Sequence, residues 1–157
     1  GGRKAGSGSE GGIQFNYAGT DRVSVGDDFA INTGNLKIKE GTSGIIHTGR
    51  GSVTQATDHS TGVTVNATSG IITLAGVALN AAAEADFLVT NSTVQADSLI
   101  LLTVQCPAAA SAVNGATLVA QLDTVSAGSF NIRLSNPGGS NTSTNAHKIH
   151  FLVINNS

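Results

Sequence analysis

Apolar and polar residues alternate along most of this chain, in short runs broken by Gly, Asn, Asp and Ser. From Ser52 onward the period-2 pattern predicts strands near Ser52–Gln55, Gly62–Asn66, Gly70–Leu74, Ala85–Thr90, Ser98–Gln105, Ala116–Asp123, Gly128–Ser135 and Lys148–Ile154. Many of these runs are rich in Val, Ile, Thr and Phe, the side chains that pack well on a half-buried pleated surface. Gly128–Ser135 alternates most cleanly, with Phe130, Ile132 and Leu134 facing inward and Asn131 and Arg133 outward. Ser98–Gln105 (SLILLTVQ) is nearly continuous in apolar residues, the pattern of a central strand covered on both faces, the outer one by a neighbouring subunit. About eight strands in roughly 100 residues predict a β-sandwich or jelly roll.

The earlier part has a different rhythm. Ile13–Phe15, Arg22–Val25, Phe29–Ile31 and Leu36–Ile38 alternate on a spacing too tight to form a core within one chain. Three chains wound together could bury one apolar row each, so residues 13–46 are read as an intertwined β-stem; a pair of hairpins lying on the head is the other reading. Residues 47–157 form the head, with a hinge at His47–Gly51, and the Gly/Ser-rich residues 1–12 are a flexible linker or an expression scar. Val77–Ala85 contains strong helix formers but is too short for a helix of its own, and is expected to be a helical turn or loop. Pro107 ends the long strand and Pro137 opens a Pro-Gly-Gly-Ser loop.

Composition narrows the classes. A net charge of −2, with 11% charged residues and no basic stripe, disfavours nucleic acid and anionic membrane surfaces as partners. No apolar stretch is long enough to span a bilayer as a helix. Aromatic residues are only 4% and Trp is absent, so the core rests on smaller aliphatic groups. A domain of this size is marginal on such a core, which predicts self-association. The single Cys106 excludes an internal disulfide and is expected to be a small buried hydrophobe. The chain has no Met, not even at position 1, which is expected of a piece of something longer.

Candidate chemistry is sparse. The acids Asp27, Asp28, Asp58, Glu84, Asp86, Asp97 and Asp123 show no spacing that marks a catalytic carboxylate pair. Asp58-His59-Ser60 collects hydrolase residue types, but adjacent residues cannot form a triad, and no Gly-x-Ser-x-Gly elbow occurs. His147 and His150 would point to opposite faces of a strand, so no metal site and no cofactor are expected. Sequons at Asn66, Asn91, Asn141 and Asn155 are what a Ser/Thr/Asn-rich chain produces by chance. That richness also suits hydrogen bonding to sugars, weak per site and strengthened by multivalency.

One run carries a resemblance. Gly51–Asn66 (GSVTQATDHSTGVTVN) is similar to the opening of a C-terminal β-sandwich head domain of bacteriophage tail-fibre and virion structural proteins. Surface proteins of large algal DNA viruses contain related domains. Ser69–Thr73, Asp86–Ser92, Ala127–Arg133 and Ile149–Ile154 follow in the order that family shows. The resemblance implies an all-β, jelly-roll-like antiparallel sandwich head on a short intertwined stem, homotrimeric, at the virion surface. It implies attachment to host-surface glycan, with the rest of the fibre as further partner and no catalytic residues. Exposed loops are where such specificity resides, which points to Thr57, Asp58, His59, Ser60, Ser140, Asn141, Thr142 and Asn145 within Thr57–Thr61 and Gly138–Ala146. A purely structural trimerisation cap is the second reading. A wall-polysaccharide-degrading module using Asp58, Asp86 or Asp123 is the third.

Overall fold

The computed structural model describes His47, residues 49–107 and residues 117–156. The expected linker and stem, with Asp27 and Asp28, lie outside the described residues. The chain divides into Gly1–Gly44 and Ile45–Ser157, and all the described strands lie in the second unit.

Eight strands follow in order: β1 Gly51–Thr54, β2 Val63–Thr64, β3 Ser69–Thr73, β4 Glu84–Thr90, β5 Leu99–Gln105, β6 Val119–Ser126, β7 Ser129–Ser135 and β8 Lys148–Ile154. They form two four-stranded sheets. Sheet I has the order β1-β3-β8-β5 and sheet II the order β2-β4-β7-β6. No helix occurs among the described residues; the Ala-rich stretch after Gly76 is a loop that runs into β4 at Glu84.

The architecture is all-β and sandwich-like, because one apolar cluster takes side chains from both sheets. Ile72, Ile100, Ile149, Phe151 and Val153 come from sheet I, and Val63, Phe87, Val89, Phe130, Ile132 and Leu134 from sheet II. Phe130 and Phe151 meet across the layers with ring centroids 6.1 Å apart at 55°, within the tilted range aromatic pairs favour. β7 shows the alternation its sequence predicts: Phe130, Ile132 and Leu134 are buried, while Asn131 and Arg133 face outward. Close approach also matters. A Cβ on Gly70 would lie 2.6 Å from the Gly51 carbonyl oxygen and 2.7 Å from the Phe151 ring, so only glycine fits between β1 and the core.

Two expectations are corrected. The sheets are mixed rather than antiparallel, since β1 pairs β3 and β2 pairs β4 in parallel. The reason lies in the path: β1 to β4 alternate between the two sheets, so strands two apart in sequence run the same way in the same sheet. The long apolar run is not a central strand either. β5 is the edge of sheet I; Ile100, Leu102 and Val104 face the core, while Leu99 and Leu101 are exposed.

These directions define two ends. β1, β3, β5 and β7 finish at a distal end, where β2, β4, β6 and β8 begin. The opposite, proximal end holds the start of β1 at Gly51 and the end of β8 at Ile154.

Candidate functional site

Both loops singled out from the sequence belong to the distal end. Residues 55–62 join β1 to β2 and residues 136–147 join β7 to β8, with residues 74–83 between β3 and β4 beside them. Three side chains stitch this end together. Buried Gln55 donates from Nε2 to the Thr61 carbonyl at 2.9 Å, and its Oε1 accepts from the Ala75 N–H at 3.2 Å. Asn136 donates from Nδ2 to the carbonyls of Leu79 and Asn80, both at 3.0 Å, and of Ser140 at 2.8 Å. Its Oδ1 accepts from the Gly138 N–H at 3.1 Å. The Thr142 hydroxyl accepts from the Leu79 N–H at 2.8 Å, and the Thr142 N–H donates to the Leu79 carbonyl at 2.9 Å. Loop backbones at a sandwich end have no ladder partners, and these side chains supply them.

The eight residues proposed from sequence therefore separate. Thr57, Asp58, Ser60, Asn141 and Asn145 are exposed and Ser140 is half-buried, whereas His59 and Thr142 are buried. Asp58 caps its own turn: its Oδ1 accepts from the Ser60 N–H at 2.9 Å and from the Thr61 hydroxyl at 3.0 Å. Asn141 Oδ1 accepts from the Ala81 N–H at 3.1 Å, leaving its amide group outward. His59 and His147 are a buried pair beneath the loops. Burial pushes both imidazoles below their ordinary range; backbone contacts oppose the shift, and for His147 the neighbouring His59 adds to it. Both are thereby held neutral near pH 7 and buttress the loops from below.

A cleft of about 320 Å³, lined by Gln105, Cys106, Pro107, Ala146 and Lys148, lies at the same end on the sheet I side. Cys106 is exposed there rather than buried as expected, because it stands just past the end of β5, beyond the sheet that would cover it.

The candidate acids are placed apart. Asp86 Oδ1 accepts from Arg133 Nε at 3.0 Å, and Asp123 Oδ1 lies 3.3 Å from Arg133 Nη2, both on the open outer face of sheet II. Asp123 reaches that face because β6 is irregular between Leu122 and Thr124. Arg133 is held above its ordinary pKa, first by the hydrogen bond to Asp86 and then by the charge of Asp123. Two carboxylates that share a guanidinium on a flat sheet act as ion-pair partners, and Asp58 sits at the distal end with its own turn. On the opposite face, His150 Nε2 is 2.8 Å from Gln105 Oε1, while His147 lies inside; the two do not converge. No cluster of three or more metal-ligating side chains occurs among the described residues. Of the sequon asparagines, Asn91 is fully buried and donates to the Ala67 carbonyl at 2.8 Å, a structural role the sequence did not signal.

Comparison with known proteins adds no relative. No family model, curated protein or solved structure matches the chain.

Gln55 and Asn136, which organise the candidate surface, escaped sequence reasoning. Asn136-Pro137-Gly138 carries a turn signal that could have found the second. Gln55 offers none: it carries no turn signal, and its bond to Ala75 joins the 55–62 loop to the 74–83 loop, which only the fold brings together.

Proposed function

We propose that this chain supplies the head of a viral fibre or spike: a jelly-roll-like trimeric domain on an intertwined stem that attaches to host-surface glycan through its distal loops. The observation that carries the reading is the placement of the two loops. Both lie at the end opposite Gly51 and Ile154, on a support braced by Gln55, Asn136 and Thr142. A surface at the free end of a stalked domain is the one a host cell meets. Its exposed groups are hydroxyls and amides, from Thr57, Ser60, Asn141 and Asn145, with Asp58 the single carboxylate among them. Such groups hydrogen-bond sugar hydroxyls one or two at a time, and three copies raise a weak site to a useful avidity.

Glycan-array and host-cell binding with the full chain tests the reading. Binding is expected, and the double change Ser60→Ala with Asn145→Ala should weaken each site roughly fivefold to thirtyfold, about 1 kcal/mol for each lost hydrogen bond. A folded, oligomeric chain that binds no glycan and no host surface overturns it. The cap reading, a head that holds the fibre together without a ligand, is supported by the apolar outer face of sheet I and gains if that result is found.

A further inference from the structure

Charge is unevenly divided between the two sheets. The four strands of sheet I contain no Asp or Glu but carry Lys148, with Arg50 just ahead of β1. Sheet II carries Glu84, Asp86 and Asp123 against the single Arg133. An anion nearing the head is therefore drawn to sheet I and turned away from sheet II. The cleft of about 320 Å³ lies on the favoured side, where the β5–β8 ladder stops. Gln105 and Lys148 are the last register pair of that ladder, both exposed, and Cys106, Pro107 and Ala146 continue from them as the cleft walls. Asp58, which follows β1 at the other edge of the sheet, is spent on its own turn.

A hydrogen-bonded chain fixes which end of the Gln105 amide is available. Arg50 only donates, so in the neutral His150 ring Nδ1, 3.5 Å from Arg50 Nη2, is the acceptor. His150 Nε2 then holds the proton and donates to Gln105 Oε1 at 2.8 Å. The Gln105 amide keeps both its N–H groups, and among the described residues neither they nor the Lys148 ammonium has a protein partner. Two donors, one of them charged, thus stand on neighbouring strands at the mouth of one cleft. The row they begin runs on across the sheet as hydroxyls, since Lys148 pairs with Thr73 and Thr73 with Thr54.

We propose that this cleft is a subsite for an acidic sugar, in which Lys148 and the Gln105 amide each donate to one oxygen of the sugar carboxylate. A carboxylate presents two acceptor oxygens, which suits two donors rooted about 5 Å apart at paired positions of adjacent strands. Thr73 and Thr54 meet hydroxyls of adjoining sugar units, and Pro107 and Ala146 face the C–H surface of the ring, the mixture of apolar wall and few polar anchors that small-ligand sites use. A neutral sugar leaves the ammonium without a counter-charge, so the subsite reads charge ahead of hydroxyl stereochemistry. Ala146 follows Asn145 in the chain, so a saccharide seated here runs on to the loop residues of the proposed attachment surface. The inference rests on that reading and names its ligand class.

Cys106, the single cysteine, is exposed in the cleft and reports its occupancy. Alkylation of the full chain by iodoacetamide is expected to slow in millimolar D-glucuronate and to be unchanged in D-glucose at the same ionic strength, each rate being compared with that of the same protein without sugar. Lys148→Gln should raise the half-protecting concentration roughly tenfold, the loss of one charge-assisted hydrogen bond. Lys148→Arg should keep the protection, and Gln105→Glu, which sets a carboxylate where the amide donates, should abolish it. These are exposed positions, and circular dichroism checks that each variant is folded. Absence of protection by glucuronate overturns the inference, as does equal protection by glucose or protection that survives Lys148→Gln. Equal protection by inorganic sulfate overturns the sugar assignment, leaving a general anion trap. On glycan arrays, binding that ignores carboxylates counts against this subsite and leaves the proposed attachment standing. Glucuronate protection in a chain that binds no host surface does the reverse.

Discussion

Replacing Asn136 should collapse the distal end, and the structure sets the scale. The side chain is 1% exposed and serves four backbone groups: it donates to the carbonyls of Leu79, Asn80 and Ser140 and accepts from Gly138 N–H. An amide has two donor hydrogens, so one is shared between two carbonyls, leaving about three full bonds. At about 1 kcal/mol net each, Asn136→Ala should cost roughly 2–4 kcal/mol, the upper part reached if water does not enter to replace them. That corresponds to a fall in melting temperature of about 10–20 °C at fixed protein concentration. Asn136→Asp keeps the shape but replaces the donating NH2 group by an acceptor oxygen facing three carbonyls, so it should cost at least as much as Ala. Denaturant titration and thermal melting of the three proteins, followed by circular dichroism, measure this. A cost below 0.5 kcal/mol for Ala, or a milder effect for Asp than for Ala, would falsify the account of Asn136 as the stitch between loops.

Three further outcomes are expected. His59 and His147 have folded pKa values lowered by burial, so the unfolded chain binds more protons as pH falls; stability should be full above about pH 6.5 and decline below it, and His59→Gln with His147→Gln should flatten that decline in melts from pH 8 to pH 5. A pH-independent wild-type curve across that window contradicts the buried pair. Gly70→Ala drives a methyl against the Gly51 carbonyl and the Phe151 ring and should cost about 1–3 kcal/mol by chemical denaturation, whereas full stability would mean that β1 can move away freely. Ala82, at φ 55°, holds a left-handed conformation that disfavours a Cβ by about 1–2 kcal/mol, so Ala82→Gly should leave the protein as stable or slightly more so, despite the added entropy of glycine in the unfolded chain. A clear loss of stability on that change would show that the Ala82 methyl makes a contact worth more than its strain.

Much of the local structure follows from the order of residues alone. The alternation of side chains to opposite faces is a property of each extended segment, so β7 lies where the pattern puts it and buries the residues it selects, and β8 spans Lys148–Ile154 as its run predicts. Turn chemistry is local too: Gly128, at φ 85°, closes the β6–β7 hairpin, and Asp58 caps its own turn. Neighbours are another matter. The run Leu99–Gln105 is apolar on both faces, and a short segment cannot report whether its outer face meets a layer of its own chain, a second copy or solvent; the fold placed it at an edge. The mixed pairing arises because β1 to β4 alternate between the two sheets, a property of how the sheets pack and not of any one segment. The candidate site divides along the same line. That the loops are polar and carry turn residues was written in the chain. That His59 and Thr142 turn inward, that Gln55 and Asn136 hold the loops together, and that both loops share the end opposite Gly51 and Ile154 were decided by tertiary structure, because hydrogen bonds between residues some sixty positions apart exist only once the sheets have packed.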